Sequence, residues 1–425
     1  MKLSLQQIHD TLQQVLWTTK GKHPNFDLRS LLYQYLKTNE VQCFAREVRK
    51  SLQVLGRNPI YQMLVLFYCE TMKMNNTSDS LYRKIRQEQS RFTSLDLVKE
   101  DELKQLIQNY ISFLINQKER YVISLLHQKE KTNDKKIRNL KFYDKITLIQ
   151  TLGNDSYTCH NYQAVYETKD VIVTLATDMG RKRENQEDSA IALEHPNISQ
   201  TRLLAVADGV GGNAYGEYAS AYTLTSLKKW FCMLPQEILQ DPVNLMIAWQ
   251  LEVKQIEQHF QKKKCPGSTT LAAAIISKEY TLALNIGDSR IYKLQDSSLT
   301  QISNDDSVAW RHYQLRQMSK EMLRFLPYSS IILNAISGTD KAKCRFHYLS
   351  KKEYDQLLLF TDGVTDCLKD TQIQKICAAT LAHQTASEIV KKATDQDCLT
   401  MSIQGQLRTV DHGKDNATAI VYTKK

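Results

Sequence analysis

The sequence predicts an α+β domain over residues 160–425, preceded by an all-α domain over residues 1–150. In the first 150 residues the only glycines are Gly21 and Gly56, and apolar residues recur every three or four positions, which is typical of amphipathic helices. After residue 162 the apolar residues instead form short runs that end in turn residues, which is typical of strands.

The helical pattern of the first part is clearest in residues 101–128. An apolar stripe runs along this segment through Leu103, Leu106, Ile107, Tyr110 and Leu114. Similar stripes occur in residues 3–17 and around residues 58–72. We therefore expect a bundle of several helices, which ends in a hydrophilic linker near residues 127–141.

The basic excess of the protein lies entirely in this helical part. Residues 1–150 contain 25 Lys and Arg against 15 Asp and Glu, whereas the remaining residues contain 31 of each. The simplest interpretation is a bundle with solvated lysines. Two alternatives are docking to an acidic protein partner and docking to an anionic membrane surface. Nucleic acid is disfavoured as a partner, because neither a DNA-binding motif nor interleaved aromatic residues are found.

Cysteine usage and hydropathy favour an intracellular protein. The nine cysteines are scattered, odd in number and without a CxxC pair, which disfavours a disulfide framework and a zinc site. The apolar run at residues 63–69 is far too short for a transmembrane segment, and the first residues lack the apolar core of a secretion signal. We expect a cytoplasmic location, with injection into a host cell as an alternative.

Seven apolar runs in the second part predict strands. They are residues 164–167, 171–177, 203–207, 270–276, 280–286, 356–361 and 417–423. Helical stretches are predicted for residues 214–232 and 241–264. Many strands with few helices between them favour a layered α+β domain over an alternating parallel sheet.

Acidic residues stand at the ends of these runs. Asp208 follows one strand in LLAVADGVGG, and Asp288 follows another in LALNIGDSR. In LLLFTDGVTD, Asp362 ends a strand and Asp366 lies four residues later, while Asp415 precedes a strand in GKDNATAIVY. Oxygen ligands without neighbouring His or Cys select hard cations, so these acids predict an Mg²⁺ or Mn²⁺ site.

Six motifs occur in the order found in one enzyme family. They are RENQED (183–188), ADGVGG (207–212), GSTT (267–270), IGDSR (286–290), TDGVTD (361–366) and DNATAIV (415–421). With them the sequence resembles the metal-dependent Ser/Thr protein phosphatases of type 2C, in their bacterial form, over about residues 165–425. The resemblance implies a two-sheet antiparallel β-sandwich flanked by helices. The first third resembles no family.

The resemblance implies that phosphoserine and phosphothreonine in a phosphoprotein substrate are hydrolysed by a water activated at two Mn²⁺ or Mg²⁺ ions. Asp208 is expected to bridge the two metals, and Gly209 to give its carbonyl oxygen to one of them. Asp362 and Asp415 are expected to bind the other. The glycine at 209 would let that carbonyl approach a metal that a side chain would block.

Further roles are implied for the remaining polar residues of the motifs. Glu187 and Asp188 are expected to hold waters on the metals. Arg183 is expected to bind the substrate phosphate, a task suited to its planar fork of donors. Asp288 and Asp366, together with Asp362, match a third, weaker metal site, whose occupancy the sequence leaves open.

Three departures from the family pattern are visible. Val210 stands where animal members carry a histidine that protonates the leaving group, so the leaving-group acid stays open. Asp305-Asp306-Ser307 replaces an Asp-His-Ser segment at the start of the flap, the variable region between residues 296 and 350. Residues 395–416 form a longer segment than expected and predict an inserted loop beside the site.

Two other functions remain open at this point. In one, the protein regulates or binds a partner through residues 1–150, and its phosphatase domain is weak or vestigial. In the other, the chemistry is the same but the substrate is a small phosphate ester. Comparison of phosphopeptide and small-ester turnover separates the second possibility from protein dephosphorylation.

Overall fold

A computed structural model describes residues 161–425, apart from 211–214, 316–318, 327, 340, 396–397, 404–405 and 412, together with Glu119 and residues 122–126. The chain divides into two compact units, residues 1–130 with 241–248 and residues 131–240 with 249–425. The all-α domain predicted for residues 1–150 lies outside the described residues except for Glu119 and 122–126, which are helical. Its predicted boundary stays a prediction.

Fourteen strands are found in the described part of the chain. They are β1 (Asn161–Glu167), β2 (Val171–Asp178), β3 (Asp188–Glu194), β4 (Arg202–Val210), β5 (Ser268–Thr269), β6 (Leu271–Ile276), β7 (Tyr280–Ile286), β8 (Arg290–Gln295), β9 (Ser298–Gln301), β10 (Arg345–Ser350), β11 (Gln356–Phe360), β12 (Cys398–Ile403), β13 (Gln406–Asp411) and β14 (Ala417–Lys424).

Helices flank these strands. They are α1 (Gly216–Met233), α2 (Gln236–Leu239), α3 (Pro242–Lys263), α4 (Val308–Gln314), α5 (Asp362–Thr365), α6 (Asp370–Ala379) and α7 (Thr385–Thr394), with 3₁₀ helices at Lys320–Phe325 and Lys351–Glu353. Within the described residues no helix combines the length and the apolar character that crossing a bilayer requires.

Two six-stranded antiparallel arrangements make up the domain. One sheet has the order β1-β2-β14-β11-β8-β9, and the other has the order β10-β7-β6-β4-β3 with the short β5 paired to β4. Strands β12 and β13 form a separate hairpin. The predicted two-sheet antiparallel sandwich with flanking helices is therefore confirmed.

Alternation along the strands explains this layering. In β2 and β14, residues such as Val173 and Ile420 pack in the core between the two sheets. The alternate residues of the first sheet, such as Leu358 and Val421, pack instead against helices α5, α6 and α7. Strands buried on both faces need apolar residues at every position, which is why the sequence shows them as continuous apolar runs.

The predicted strand runs are confirmed, and residues 280–286 coincide with β7. The structure adds β3, the two-residue β5, β8, β9, β10 and the β12–β13 hairpin, none of which was among the predicted runs. Strand β3 begins with the polar pair Asp188 and Ser189, directly after a charged segment, so its apolar run is short. The segment 395–416 is a hairpin over most of its length, where the sequence predicted a loop.

Glu252 on α3 supplies a pH test of this domain. Burial raises the pKa of this carboxyl to about 7 from an ordinary value near 4.5, so the folded protein retains a proton that the unfolded chain releases between these pH values. Stability should therefore fall as pH rises from about 4.5 to 7. We expect the free energy of unfolding of Glu252→Gln, relative to that of the wild type, to be roughly 1–3 kcal/mol higher at pH 8 than at pH 5.

Urea unfolding of both proteins at the two pH values measures this difference. Glu237→Gln, at an exposed position on α2, is the matched control and should show no such change. The account would be contradicted if the free energies of unfolding of Glu252→Gln and the wild type differed by the same amount at pH 5 and at pH 8.

Candidate active site

Asp208 lies near the end of β4, directly opposite Asp188 on β3. Its backbone carbonyl oxygen and its N–H are both hydrogen-bonded to the GSTT segment (267–270). The Thr269 hydroxyl and the Thr270 N–H donate to the Asp208 carbonyl oxygen at 2.8 and 2.9 Å, and the Asp208 N–H donates to Thr270 Oγ1 at 3.1 Å. These bonds fix the backbone position of Asp208 near the end of β4.

Asp362 meets Asp208 across the site. It is the first residue of α5, which follows β11, and its charge acts on Asp208. Burial, and then the charges of neighbouring aspartates, raise the pKa of both carboxyls well above their usual range. Without a cation, the pair therefore holds protons to a higher pH than free aspartates would.

Asp188 is held by two threonines and is only 1% exposed. Its Oδ2 accepts the hydroxyls of Thr361 and Thr418 at 2.8 and 2.6 Å. Gln186 and Thr177 extend this network behind Thr418, with contacts of 3.0 and 2.8 Å. Burial nevertheless raises the pKa of Asp188 to about 7, because two hydroxyls do not replace its full hydration.

Arg183 and Asp415 form an ion pair at the mouth of the site. Arg183 Nε lies 2.7 Å from Asp415 Oδ1, and its Nη2 lies 2.9 Å from Oδ2, which is a bidentate arrangement. Glu187 Oε2 lies 3.4 Å from the Arg183 Nη1. Both members of the pair keep about two-fifths of their side chains exposed, at 44% and 41%.

Asn416 ties the segment before β3 to the start of β14. Its Oδ1 accepts the Glu187 N–H at 2.8 Å, while its Nδ2 donates to the carbonyl oxygens of Met179 and Asn185 at 2.8 and 3.1 Å. The segment that carries Arg183 and Glu187 is thereby fixed beside Asp415.

Gly209 is required by helix packing. A Cβ on Gly209 would lie 2.3 Å from the carbonyl oxygen of Gly216, the first residue of α1. The Gly209 N–H also donates to the Glu187 carbonyl at 3.1 Å. The close approach that the sequence predicted at this glycine is therefore, in the structure, an approach of helix α1 to strand β4.

Asp288 and Asp366 line a cleft beside Asp362. Arg290 and Lys320 border the same cleft. Asp288 is 7% exposed, and burial, followed by the charges of neighbouring aspartates, raises its pKa to about 7. Asp208 is influenced by the charges of Asp362, Asp188, Asp415 and Asp288, and Asp362 by those of Asp415, Asp288 and Asp366, so the structure brings these predicted acids to one region.

The two acids that open the flap have different tasks. Asp305 forms a buried ion pair with Arg290, whose Nε donates to it at 2.8 Å. Asp306 accepts from Arg345 Nε at 2.7 Å and from Asn334 Nδ2 at 2.6 Å. Asp305 therefore binds the start of the flap to Arg290 on β8, and Asp306 binds it to Arg345 near the end of the flap.

The donor set fits a hard divalent cation. Within the described residues, the buried Oδ1 atoms of Asp188, Asp288 and Asp362 have no hydrogen-bond partner, and an unpartnered buried carboxylate oxygen is costly. As the described side chains stand, no group of three His, Cys, Asp or Glu is arranged to hold a metal. Asp415 is paired with Arg183, and Asp188 is hydrogen-bonded to its two threonines, so these acids do not converge on one point.

Sequence reasoning missed the supporting polar residues. These residues are Thr361, Thr418 and Asn416, each at most 2% exposed. They belong to the TDGVTD and DNATAIV motifs, within three residues of a predicted acid. A buried polar residue inside an apolar strand, as Thr418 is between Ala417 and Ala419, is the signal that would have identified them.

The β12–β13 hairpin adjoins the flap. Strand β13 contacts the 3₁₀ helix Lys320–Phe325, which borders the acidic cleft through Lys320 and Leu323. Two residues after the hairpin, Gly413 donates its N–H to Cys367 Sγ at 3.3 Å, and Asp415 follows. The hairpin therefore contacts the flap and precedes the predicted ligand Asp415 in the chain.

Comparison with known proteins gives consistent results. The family model for protein phosphatase 2C matches residues 181–397, just over half of the chain. Serine/threonine phosphatase stp of Listeria monocytogenes is 30% identical over 206 residues, which cover 47% of this chain and 80% of that protein. Protein phosphatase PhpP of Streptococcus pneumoniae is 28% identical over 210 residues, which cover 48% and 83%.

A solved structure supports the fold. The crystal structure of serine/threonine phosphatase Stp1 from Staphylococcus aureus superposes with a TM-score of 0.50 and 24% sequence identity, over 60% of this chain and 94% of that one. The resemblance predicted from the six motifs is thus confirmed by the family match, by the relatives and by the two-sheet architecture. The chain belongs to the protein phosphatase 2C family.

Proposed function

We propose that this protein removes phosphate from phosphoserine and phosphothreonine residues of proteins, with Mn²⁺ or Mg²⁺ bound at its carboxylate centre. Family membership supports the reaction class. The observation that carries the assignment of the centre is the pair Asp208 and Asp362, two half-buried carboxyls near the ends of β4 and β11 whose pKa values are raised by burial and by the charges of neighbouring aspartates. Such a pair is unfavourable by itself and is relieved by a bound cation.

The proposed ligands are those that the resemblance to the family implies. Asp208 would contact both of two ions, with the Gly209 carbonyl on one and Asp362 and Asp415 on the other. Asp288 and Asp366 would complete a third, weaker site with Asp362. A bound pair of such ions supplies Lewis-acid activation of a water and neutralises charge on the phosphoryl group.

Arg183 would bind the substrate phosphate. Its fork already holds two carboxylate oxygens of Asp415 in a bidentate pair, and two phosphate oxygens present the same geometry. Phosphate and Asp415 therefore compete for one guanidinium. Because the side chain is 44% exposed, an incoming phosphate can reach it without rearrangement of the core.

Asp188 and Glu187 would orient water at the centre. Asp188 Oδ2 is fixed by two threonine hydroxyls, so its buried Oδ1 points to a defined place. Glu187 is placed beside Arg183 by Asn416, where its carboxylate also restrains the guanidinium.

Replacement of Asp208 tests the centre. Asp208→Asn removes one negative charge from the cluster of aspartates, so it should raise the unfolding midpoint of the metal-free protein. It should also lower Mn²⁺-dependent phosphate release by roughly 100-fold or more. Phosphate release from a phosphothreonine peptide and thermal unfolding measure the two effects.

Asp170→Asn is the matched control, since Asp170 is exposed at the opposite end of β2 from the site. It should change neither measurement. Full activity in Asp208→Asn, or hydrolysis that needs no divalent cation, would overturn the proposed function. Turnover of p-nitrophenyl phosphate without turnover of the phosphopeptide would instead indicate a small-ester substrate.

Replacement of Arg183 tests phosphate binding. Loss of two charge-assisted hydrogen bonds in Arg183→Ala should lower kcat/KM by roughly 10- to 100-fold, mainly through KM. Arg183→Lys keeps the charge but loses the fork, so it should recover only part of this loss. Steady-state kinetics on a phosphopeptide decide the question, and full recovery by lysine would rule out bidentate binding.

A further inference from the structure

Tyr215 has an unusual backbone conformation for a bulky residue. It precedes α1 with φ +96° and ψ 9°, in the left-handed region, and it is 51% exposed. The carbonyl oxygen of Tyr215 lies 2.3 Å from the place a Cβ would take on Gly267, so a glycine is needed beside it. A large side chain in this region is strained, and it contributes little core packing to compensate.

Tyr215 stands at the border of the active site. The next residue, Gly216, has its Cβ position 3.0 Å from both the Glu187 Oε1 and the Gly209 carbonyl oxygen. An exposed aromatic ring is therefore presented within one residue of the groups that surround the centre. Strained residues of this kind concentrate at binding and catalytic sites.

Aromatic rings continue from Tyr215 along the molecular surface. Tyr218 and Tyr222 follow at steps of three and four residues on α1, and their ring centroids are 5.8 Å apart. His259 of α3 stacks on Tyr222 at 3.9 Å, and its Nε2 lies 3.0 Å from the Tyr218 hydroxyl oxygen. All three rings are partly exposed.

Lysines border this row of rings. Lys262 and Lys263 lie in the last turn of α3, and Lys264 follows; all three are exposed. Lys262 and Lys263 follow His259 by three and four residues on α3, so they share its side of the helix, and burial and their charges lower the pKa of His259. Glu257, an acid on the same helix, is engaged with the Ala342 N–H.

We propose that this aromatic–basic strip, formed by Tyr215, Tyr218, Tyr222, His259, Lys262 and Lys263, binds an acidic segment of the phosphoprotein substrate that flanks the phosphorylated residue. The inference rests on the proposed function. Two observations select this occupant: Tyr215 adjoins Gly216, whose Cβ position lies 3.0 Å from Glu187 Oε1, and the charged members of the strip are lysines. Glu217, the acid in the first turn of α1, interacts with Glu187 and raises its pKa.

The chemistry of the strip matches such a segment. Lysines attract the carboxylates of the segment and so hold its acidic side chains on the strip, beside the centre. The tyrosine rings provide flat, partly apolar contact area at low entropic cost. Tyr215 thereby fixes the point at which the substrate chain leaves the cleft.

The test uses the full chain and three substrates. Two phosphothreonine peptides differ only in an acidic or an uncharged flank, and p-nitrophenyl phosphate has no flank. The wild type should prefer the acidic peptide by about 3- to 10-fold in kcat/KM, with a preference that weakens as salt is added. Lys262→Ser with Lys263→Ser should abolish the preference through KM and leave p-nitrophenyl phosphate turnover unchanged.

Lys391→Ser with Lys392→Ser is the matched control, because this pair is also exposed in the last turn of a helix, α7. It should keep the preference. Tyr215→Gly provides a second variant that does not depend on charge. Glycine relieves the backbone strain, so the unfolding midpoint should not fall, while KM for both peptides should rise roughly twofold or more.

The outcomes separate the two proposals. Turnover of all three substrates without a flank preference, or a preference that survives in the Lys262/Lys263 variant, would overturn the strip alone. An unchanged peptide KM in Tyr215→Gly would remove Tyr215 from it. Absence of turnover of every substrate by the wild type would overturn the proposed function and this inference with it.

Discussion

Crowding of buried carboxylates is the constraint on which the rest of this domain depends. Burial and mutual repulsion raise the pKa of Asp208 and Asp362 well above their usual range, and that of Asp188 and Asp288 to about 7. In an ordinary core these groups would be replaced by apolar residues, because an uncompensated buried charge is strongly destabilising. Their concentration at one end of the sandwich therefore indicates a cation-dependent task.

The fold supports this concentration in two ways. The antiparallel sheets bring strand ends from distant parts of the chain together, as in the register that sets Asp188 opposite Asp208. Buried hydroxyl and amide groups then hold the acids: Thr418 bonds to Asp188, and Asn416 holds the backbone of Glu187. Asp188 and the backbone of Glu187 are thus positioned by neutral groups, which add no further charge to the site.

Much of this was predictable from the sequence, for identifiable reasons. Strands β7 and β11 are buried runs that end in turn residues, so the acids Asp288 and Asp362 at their ends were evident. Strand β3 and the hairpin lacked that signal. Contacts such as Thr418 with Asp188 join residues 230 positions apart, and the packing of Gly209 on Gly216 is likewise set by the fold, so neither follows from local pattern.

The most direct test of the central claim is calorimetric titration of the full chain with Mn²⁺ near pH 7, in two buffers of different ionisation enthalpy. The account predicts binding with net release of protons, because the raised pKa values of Asp208 and Asp362 keep protons on the metal-free centre that a bound cation displaces. In Asp362→Asn, both the affinity and the proton release should fall. Absence of Mn²⁺ binding to the wild type, or equal binding and proton release in both proteins, would contradict it.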